Sequence, residues 1–391
     1  MKSRCVCGQD RNWLLLASLL LIAFVSAPEV SRGSSPAVTP ALADTAGRLF
    51  FGRIPAPSVA NNPLYKTADL PIAVYLPPSY FKSTSRYPAV YFLPGFGDRV
   101  GDFIKGPYGF SLRSSVDSLV AVGAVKEMIL VIATGRNVLG GSFYRNSPVT
   151  GNWEDWIVKD VVGYVDSHYR TLPGVTSRGL AGHSMGGSGA IDIGMRHPEL
   201  FGTVYSMSPG LFDPQGLSHT PMFETPAAIA DFLSEDSVLT ATPEAQRLEK
   251  FITDLQGMHW TRIFAYAYGA AFSPDAGLPA PHIRYPFSRV DGRLVRDEAV
   301  WKVWGSGFGD LRDRIERYGA NLRQLHGFTI ECGTREENTW IQDGCRYFSR
   351  QLDAAKIPHK LVSFEGGHDD HLGQRLIGAM IPFFSGALAR E

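Results

Sequence analysis

Cysteine is scarce in this chain, with four in 391 residues. Cys5 and Cys7 stand ahead of an N-terminal apolar run, so they do not form a lipoprotein cleavage box after it. Only Cys332 and Cys345 remain downstream. They could bridge a short loop in an oxidising compartment or stay as two buried thiols, and spacing alone does not choose. Charge of either sign is not in excess: lysine plus arginine and aspartate plus glutamate are 38 each. That balance gives no basic footprint for nucleic acid and no acidic tail. No apolar run reaches the ~20 residues of a membrane span. No internal repeat is visible. The cluster His368-Asp369-Asp370-His371 has no Cys or further His nearby at a ligand spacing, so neither a metal nor an organic cofactor is expected. Charged residues make up 19% against 44% hydrophobic, a balance that excludes global disorder.

The N-terminus is a unit of its own. Lys2, Arg4 and Arg11 precede an apolar run from Trp13 to Val25. This has the form of a secretory signal peptide, rather than an uncleaved anchor, with cleavage between residues 27 and 43. We take 1–33 as the signal, 34–46 as a Ser/Pro-rich linker, and 47–391 as one folded domain outside the cytoplasm.

Within that domain short apolar runs alternate with helical spacing. Strands are predicted at Ile72–Leu76, Ala89–Leu93, Met128–Ala133, Arg178–Ala181, Val204–Met207, Phe328–Ile330 and His359–Phe364. Helices are predicted at 111–122, 153–169, after Ser184, and at 311–325, 340–355 and 372–388. Gly140 to Asn152 reads as a polar loop. The pattern implies an α/β fold with a mostly parallel sheet covered by helices on both faces. It breaks from Pro209 to about Arg312, where prolines and aromatics such as Trp260, Phe264 and Tyr268 accumulate. We expect an insertion there that forms a lid over an apolar pocket.

Gly182-His183-Ser184-Met185-Gly186 organises the rest. It has the G-x-S-x-G form of a nucleophile elbow, with small residues on both sides of a strand-to-helix turn. A serine hydroxyl needs a base and a third group that orients the base. Open α/β sheets place such groups just past the carboxyl ends of strands. The loop after Phe364 supplies His368. The loop after Cys332 supplies an acid, with Glu336, Glu337 and Asp343 as candidates. The order Ser184, acid, His368 is that of the α/β-hydrolase fold. Among the ten histidines, His183 reads as a packing residue, His359 lies at the wrong end of its strand, and His371 reads as a surface or cap residue. The Met185 N–H should be one oxyanion donor, and the loop Leu93-Pro94-Gly95-Phe96-Gly97-Asp98 should supply the other.

Phe92–Gly97, Gly182–Gly187, Gly333–Glu336 and Gly366–His368 together resemble the esterase D-type "putative esterase" branch of the α/β hydrolases. That branch includes S-formylglutathione hydrolases, feruloyl esterases and antigen 85 acyltransferases. The resemblance implies an α/β-hydrolase fold and a serine esterase acting on a small-molecule ester. It implies Ser184 as nucleophile, His368 as base, Glu336 as acid and the Phe96 N–H as the second oxyanion donor. The family usually carries aspartate where this chain has Glu336. An acyltransferase with an alcohol acceptor, or a binding protein on the same scaffold, are the alternatives that the sequence leaves open.

Overall fold

The computed structural model describes residues 46–390. The export signal expected at 1–33, and the linker as far as residue 45, lie outside the described residues. Eight strands form the central sheet: β1 (Arg48–Pro55), β2 (Asp69–Leu76), β3 (Ala89–Leu93), β4 (Ile129–Ala133), β5 (Arg178–His183), β6 (Thr203–Met207), β7 (Gly327–Gly333) and β8 (Lys360–Phe364). Their order is β1-β2-β4-β3-β5-β6-β7-β8. β1 and β2 run antiparallel to their neighbours, and all later pairings are parallel.

The parallel strands read as unbroken apolar runs because both faces are covered. In β3, Tyr91 and Leu93 point into one core and Val90 and Phe92 into the other. The helices Met185–Arg196, Leu311–Leu322 and Thr339–Ala354 pack on the first face; Leu112–Ala121 and the last helix pack on the second. β1 escaped the sequence reading because it is an edge strand exposed on both sides, with no alternation to reveal it.

Two long helices contain an unexpected turn. The one beginning at Trp153 is α-helical at Trp153–Asp155, π-helical at Trp156–Val161 and α-helical again at Val162–His168. The last helix does the same at Leu372–Arg375, Leu376–Met380 and Ile381–Ala387. Periodicity alone does not separate a π turn from an α turn over so few residues. The segment 140–152 is a loop, as expected, but much of it is buried. Phe143, Tyr144, Val149 and Thr150 are buried, and two short paired strands, Asn146–Ser147 and Gly151–Asn152, brace it.

The insertion holds four helices, Pro226–Ala241, Glu244–Asp254, Trp260–Phe272 and Glu298–Phe308, and a hairpin of Phe287–Val290 with Arg293–Arg296. Local signals start them. Thr225 Oγ1 accepts the Ala228 N–H ahead of Pro226, and Asp297 accepts from Ala299 and Val300.

The end of the chain is stitched to the foot of the sheet. The Ala389 N–H donates to Thr176 O at 2.9 Å, Ser177 Oγ donates to Ala389 O at 3.0 Å, and the Lys126 N–H donates to Ser385 Oγ at 2.8 Å. Among the described residues, no helix is long and apolar enough to cross a membrane.

Candidate active site

The register brings the carboxyl ends of the strands to one edge. Leu93 faces Gly182, His183 faces Met207, Glu331 faces Met207, and Gly333 faces Phe364. The loops that carry Phe96, Ser184, Glu336 and His368 all leave from that edge.

Ser184 sits at φ +56° and ψ −116°, a conformation costly for any side chain other than glycine's hydrogen. The turn is tight enough that its neighbours have no room for a Cβ. One added to Gly182 would overlap the Gly186 carbonyl, and one added to Gly186 would overlap the Leu93 carbonyl. The Ser184 N–H donates to Met207 O at 2.9 Å, and the Ser188 N–H returns to Ser184 O at 3.1 Å. The serine is therefore held at the N-terminus of the helix Met185–Arg196. The Met185 N–H is the first of that helix and has no carbonyl one turn back within it.

In the facing loop the Gly95 N–H donates to Asp98 Oδ2, the Gly97 N–H to Gly140 O and the Asp98 N–H to Gly95 O. Phe96, between them, has no such acceptor among the described residues. Gly140 and Gly141 lie close under the Phe96 ring, which would crowd any Cβ there.

His368 Nδ1 lies 2.8 Å from Glu336 Oε2. The Glu336 side chain is fully buried, and its Oε1 accepts the Gly333 N–H at 3.1 Å. Glu337 also holds His368, but at the backbone: its Oε2 accepts the His368 N–H at 2.9 Å. Asp343 is exposed on the following helix and reaches neither. Of the three acids the sequence offered, Glu336 is the one at the ring. His183 is buried and lies with its Nε2 3.2 Å from the His368 carbonyl oxygen, so it braces the histidine loop as well as packing. His371 begins the last helix, and His359 lies with Nε2 2.7 Å from Ser349 Oγ, away from this edge. Ligand atoms of His183, His368 and Asp369 lie within 4.8 Å of one another, and the Nδ1 of His368 is taken by Glu336.

A buried polar network behind His368 was missed in the sequence. Arg375 pairs with Glu331 and also donates to the carbonyls of His368 and Asp370, both at 3.3 Å. Its guanidinium carbon lies 3.7 Å from the centre of the Phe364 ring. Tyr205 donates to the other Glu331 oxygen, and the Ser208 N–H donates to Glu331 O at 2.6 Å. One signal existed: Glu331 is a lone charge in the otherwise uncharged strand Phe328–Gly333, and such a charge has to be paired.

Burial pushes the His368 imidazole down, but the hydrogen bond and charge of Glu336 outweigh it and leave the pKa above 6.5. Burial raises the Glu336 carboxyl, yet His368, Ser208 and the Gly333 N–H bring it below its usual value. His183 is held neutral, chiefly by burial. Asp98 is pushed up to about 6 by burial. A general base must be neutral to accept a proton, so the acid limb of kcat/KM is expected above pH 6.5. Glu336→Gln should move that limb to lower pH while lowering the plateau. A limb that stays near pH 6 in both proteins would assign it to Asp98 instead.

Ser184 and His368 line one cleft of about 180 Å³. Its walls come from Phe96 and Met185, from Met222, Trp260, Phe264 and Phe308 of the insertion, and from Trp340. The Phe96 and Phe264 rings meet edge to face at 4.9 Å. Cys332 and Cys345 are both buried as free thiols, and the hydrogen bond from Cys345 lowers the Cys332 pKa.

Strand order, elbow and loop placement define an α/β-hydrolase fold. Residues 67–381 match the family described as "Putative esterase", and the chain belongs to that family. It is 30% identical over 149 residues to an endo-1,4-beta-xylanase/feruloyl esterase of Xylanibacter ruminicola, a match covering 36% of this chain and 20% of that protein. It is 25% identical over 330 residues to an esterase of Mycobacterium tuberculosis, covering 82% of this chain and 56% of that protein. The chain thus spans only a fifth to just over half of these relatives. Among solved structures it is similar in fold to a ferulic acid esterase, with TM-score 0.54 and 20% identity over 88% of this chain and 100% of that one. It is similar also to an S-formylglutathione hydrolase of Staphylococcus aureus, with TM-score 0.51 and 13% identity over 89% and 100%.

Proposed function

We propose that this chain is an exported serine esterase that cleaves a carboxylic ester through an acyl-enzyme on Ser184. The observation that carries the reading is the 2.8 Å contact of Glu336 with His368, in a cleft that His368 shares with Ser184. Ser184 Oγ attacks the ester carbonyl while His368 takes its proton. The N–H groups of Phe96 and Met185 receive the developing oxyanion, each worth roughly 10²–10³ in kcat. His368 then gives the proton to the leaving alcohol, and water repeats the sequence in reverse. Glu336 holds the imidazole in the working tautomer and stabilises it when charged.

The cleft is smaller than the ~300 Å³ at which sites for drug-sized ligands begin, and its walls are mainly apolar, with six Phe or Trp rings among them. We read it as taking one compact apolar group, a single ring or a short acyl chain. That agrees with the feruloyl esterase among the relatives. A series of p-nitrophenyl esters should give highest kcat/KM at short chains and lose ~10-fold or more by sixteen carbons. A rising profile would refute the compact-group reading. Labelling by a fluorophosphonate probe, lost in Ser184→Ala, tests the serine itself; a chain that takes no label is a binding protein.

Export rests on the basic residues before the apolar run. N-terminal sequencing of the secreted product should start between Pro28 and Asp44. A soluble cytoplasmic product that keeps Met1 would refute it.

A further inference from the structure

A second concavity of about 690 Å³ borders the loop that carries Phe96. Its walls come from β1, β2, the segment 99–105 that continues the oxyanion loop, and the turn after β4. Four cations line it: Arg53, Arg99, Lys105 and Arg136. Only Arg53 is in an ion pair, with Asp69, among the described residues. The one acid in the lining, Asp102, already accepts the Arg99 N–H through Oδ2 at 2.8 Å. Arg136 donates to the Gly97 carbonyl, so one wall of the groove is the loop that carries Phe96.

One further observation points to a ligand. Phe51, 63% exposed, presents an aromatic ring at the same groove. The Arg136 pKa is lowered by burial and then by the charge of Arg99, which together outweigh the opposing charges of Asp102 and Asp98.

We propose that this groove binds an acidic saccharide, with the carboxylates on the Arg99, Lys105 and Arg136 side chains and a sugar face on Phe51. A lone ion would leave most of the volume unfilled, whereas the groove falls in the ~300–1,000 Å³ range of organic ligands. On the esterase reading, this saccharide is the part of the substrate remote from the scissile bond. Its binding energy would then be available to the chemistry across the shared loop.

Calorimetric titration of the purified protein with trigalacturonate tests the site without any ester. Binding is expected, weakening as ionic strength rises from about 0.02 to about 0.2 M. The trimethyl ester, titrated into Ser184→Ala so that it is not hydrolysed, keeps the sugar, loses the charge and should bind at least ~10-fold more weakly; Arg99→Gln/Lys105→Gln should lose a similar factor for trigalacturonate. The thermal midpoint of this double variant should match wild type, because both side chains are exposed. No binding of trigalacturonate, or equal binding of the ester, overturns the proposal. Inorganic phosphate matching trigalacturonate, or Phe51→Ala leaving the affinity unchanged, overturns the saccharide assignment. Fluorophosphonate labelling of the same wild-type sample keeps the two readings apart: binding without labelling would leave the groove standing and remove the esterase.

Discussion

Ser184→Ala is expected to lower kcat by roughly 10⁶, with His368→Ala close to it and the double variant no worse than either. The losses should not add because the two groups act in one proton transfer, and removing either stops it. The elbow gives this test a clean structural background. Alanine at 184 keeps the same φ of +56° and the same backbone bonds to Met207 and Ser188. Far-UV circular dichroism and the thermal midpoint should therefore stay near wild type. A residual activity roughly 10³–10⁴ above the uncatalysed rate is expected, from the oxyanion donors and binding alone. If Ser184→Ala keeps a tenth of wild-type kcat, the serine is not the nucleophile.

The second large effect falls on the acid. Glu336→Gln should cost on the order of 10⁴ in kcat, with KM little changed, because the amide can present an N–H to His368 and stabilise the wrong tautomer. Glu336→Asp should recover part of the loss, since the charge returns but the reach shortens. Glu337→Gln should cost far less: an amide oxygen still accepts the His368 backbone N–H now taken by Glu337 Oε2 at 2.9 Å. Asp343→Asn should be near wild type. A damaging Glu337→Gln beside a near-normal Glu336→Gln would reverse the assignment while leaving Ser184 and His368 in place.

The particular residues show what could be read in advance. The strands of the parallel core were legible because burial on both faces writes them as plain apolar runs, such as Ile129–Ala133. The elbow was legible because Gly182 and Gly186 are forced by overlap with backbone. The acid was not settled by the residues themselves. Glu336 and Glu337 are adjacent, both carboxylates turn to His368, and only the fold of their loop sends one to the ring and the other to the backbone. Arg375 was invisible because one arginine in an amphipathic helix looks like any solvated charge. Its burial depends on Glu331, 44 residues earlier. The segment 140–152 misled for a related reason: its glycines and polar residues outnumber Phe143, Tyr144 and Val149, yet those three are buried.

The Arg375 clamp sets an order of arrival when the polypeptide is made. Ser184 leaves the ribosome first, then Glu336, then His368, and the residue that grips the His368 carbonyl comes last. At about 5–20 residues per second, the interval from Ser184 to Arg375 is roughly 10–40 s. During that time the nucleophile strand can pair, but the base has neither its clamp nor the helix that ties residues 385 and 389 to the foot of the sheet. A nascent chain therefore carries Ser184 well before the residues that, on the proposed function, would complete its site.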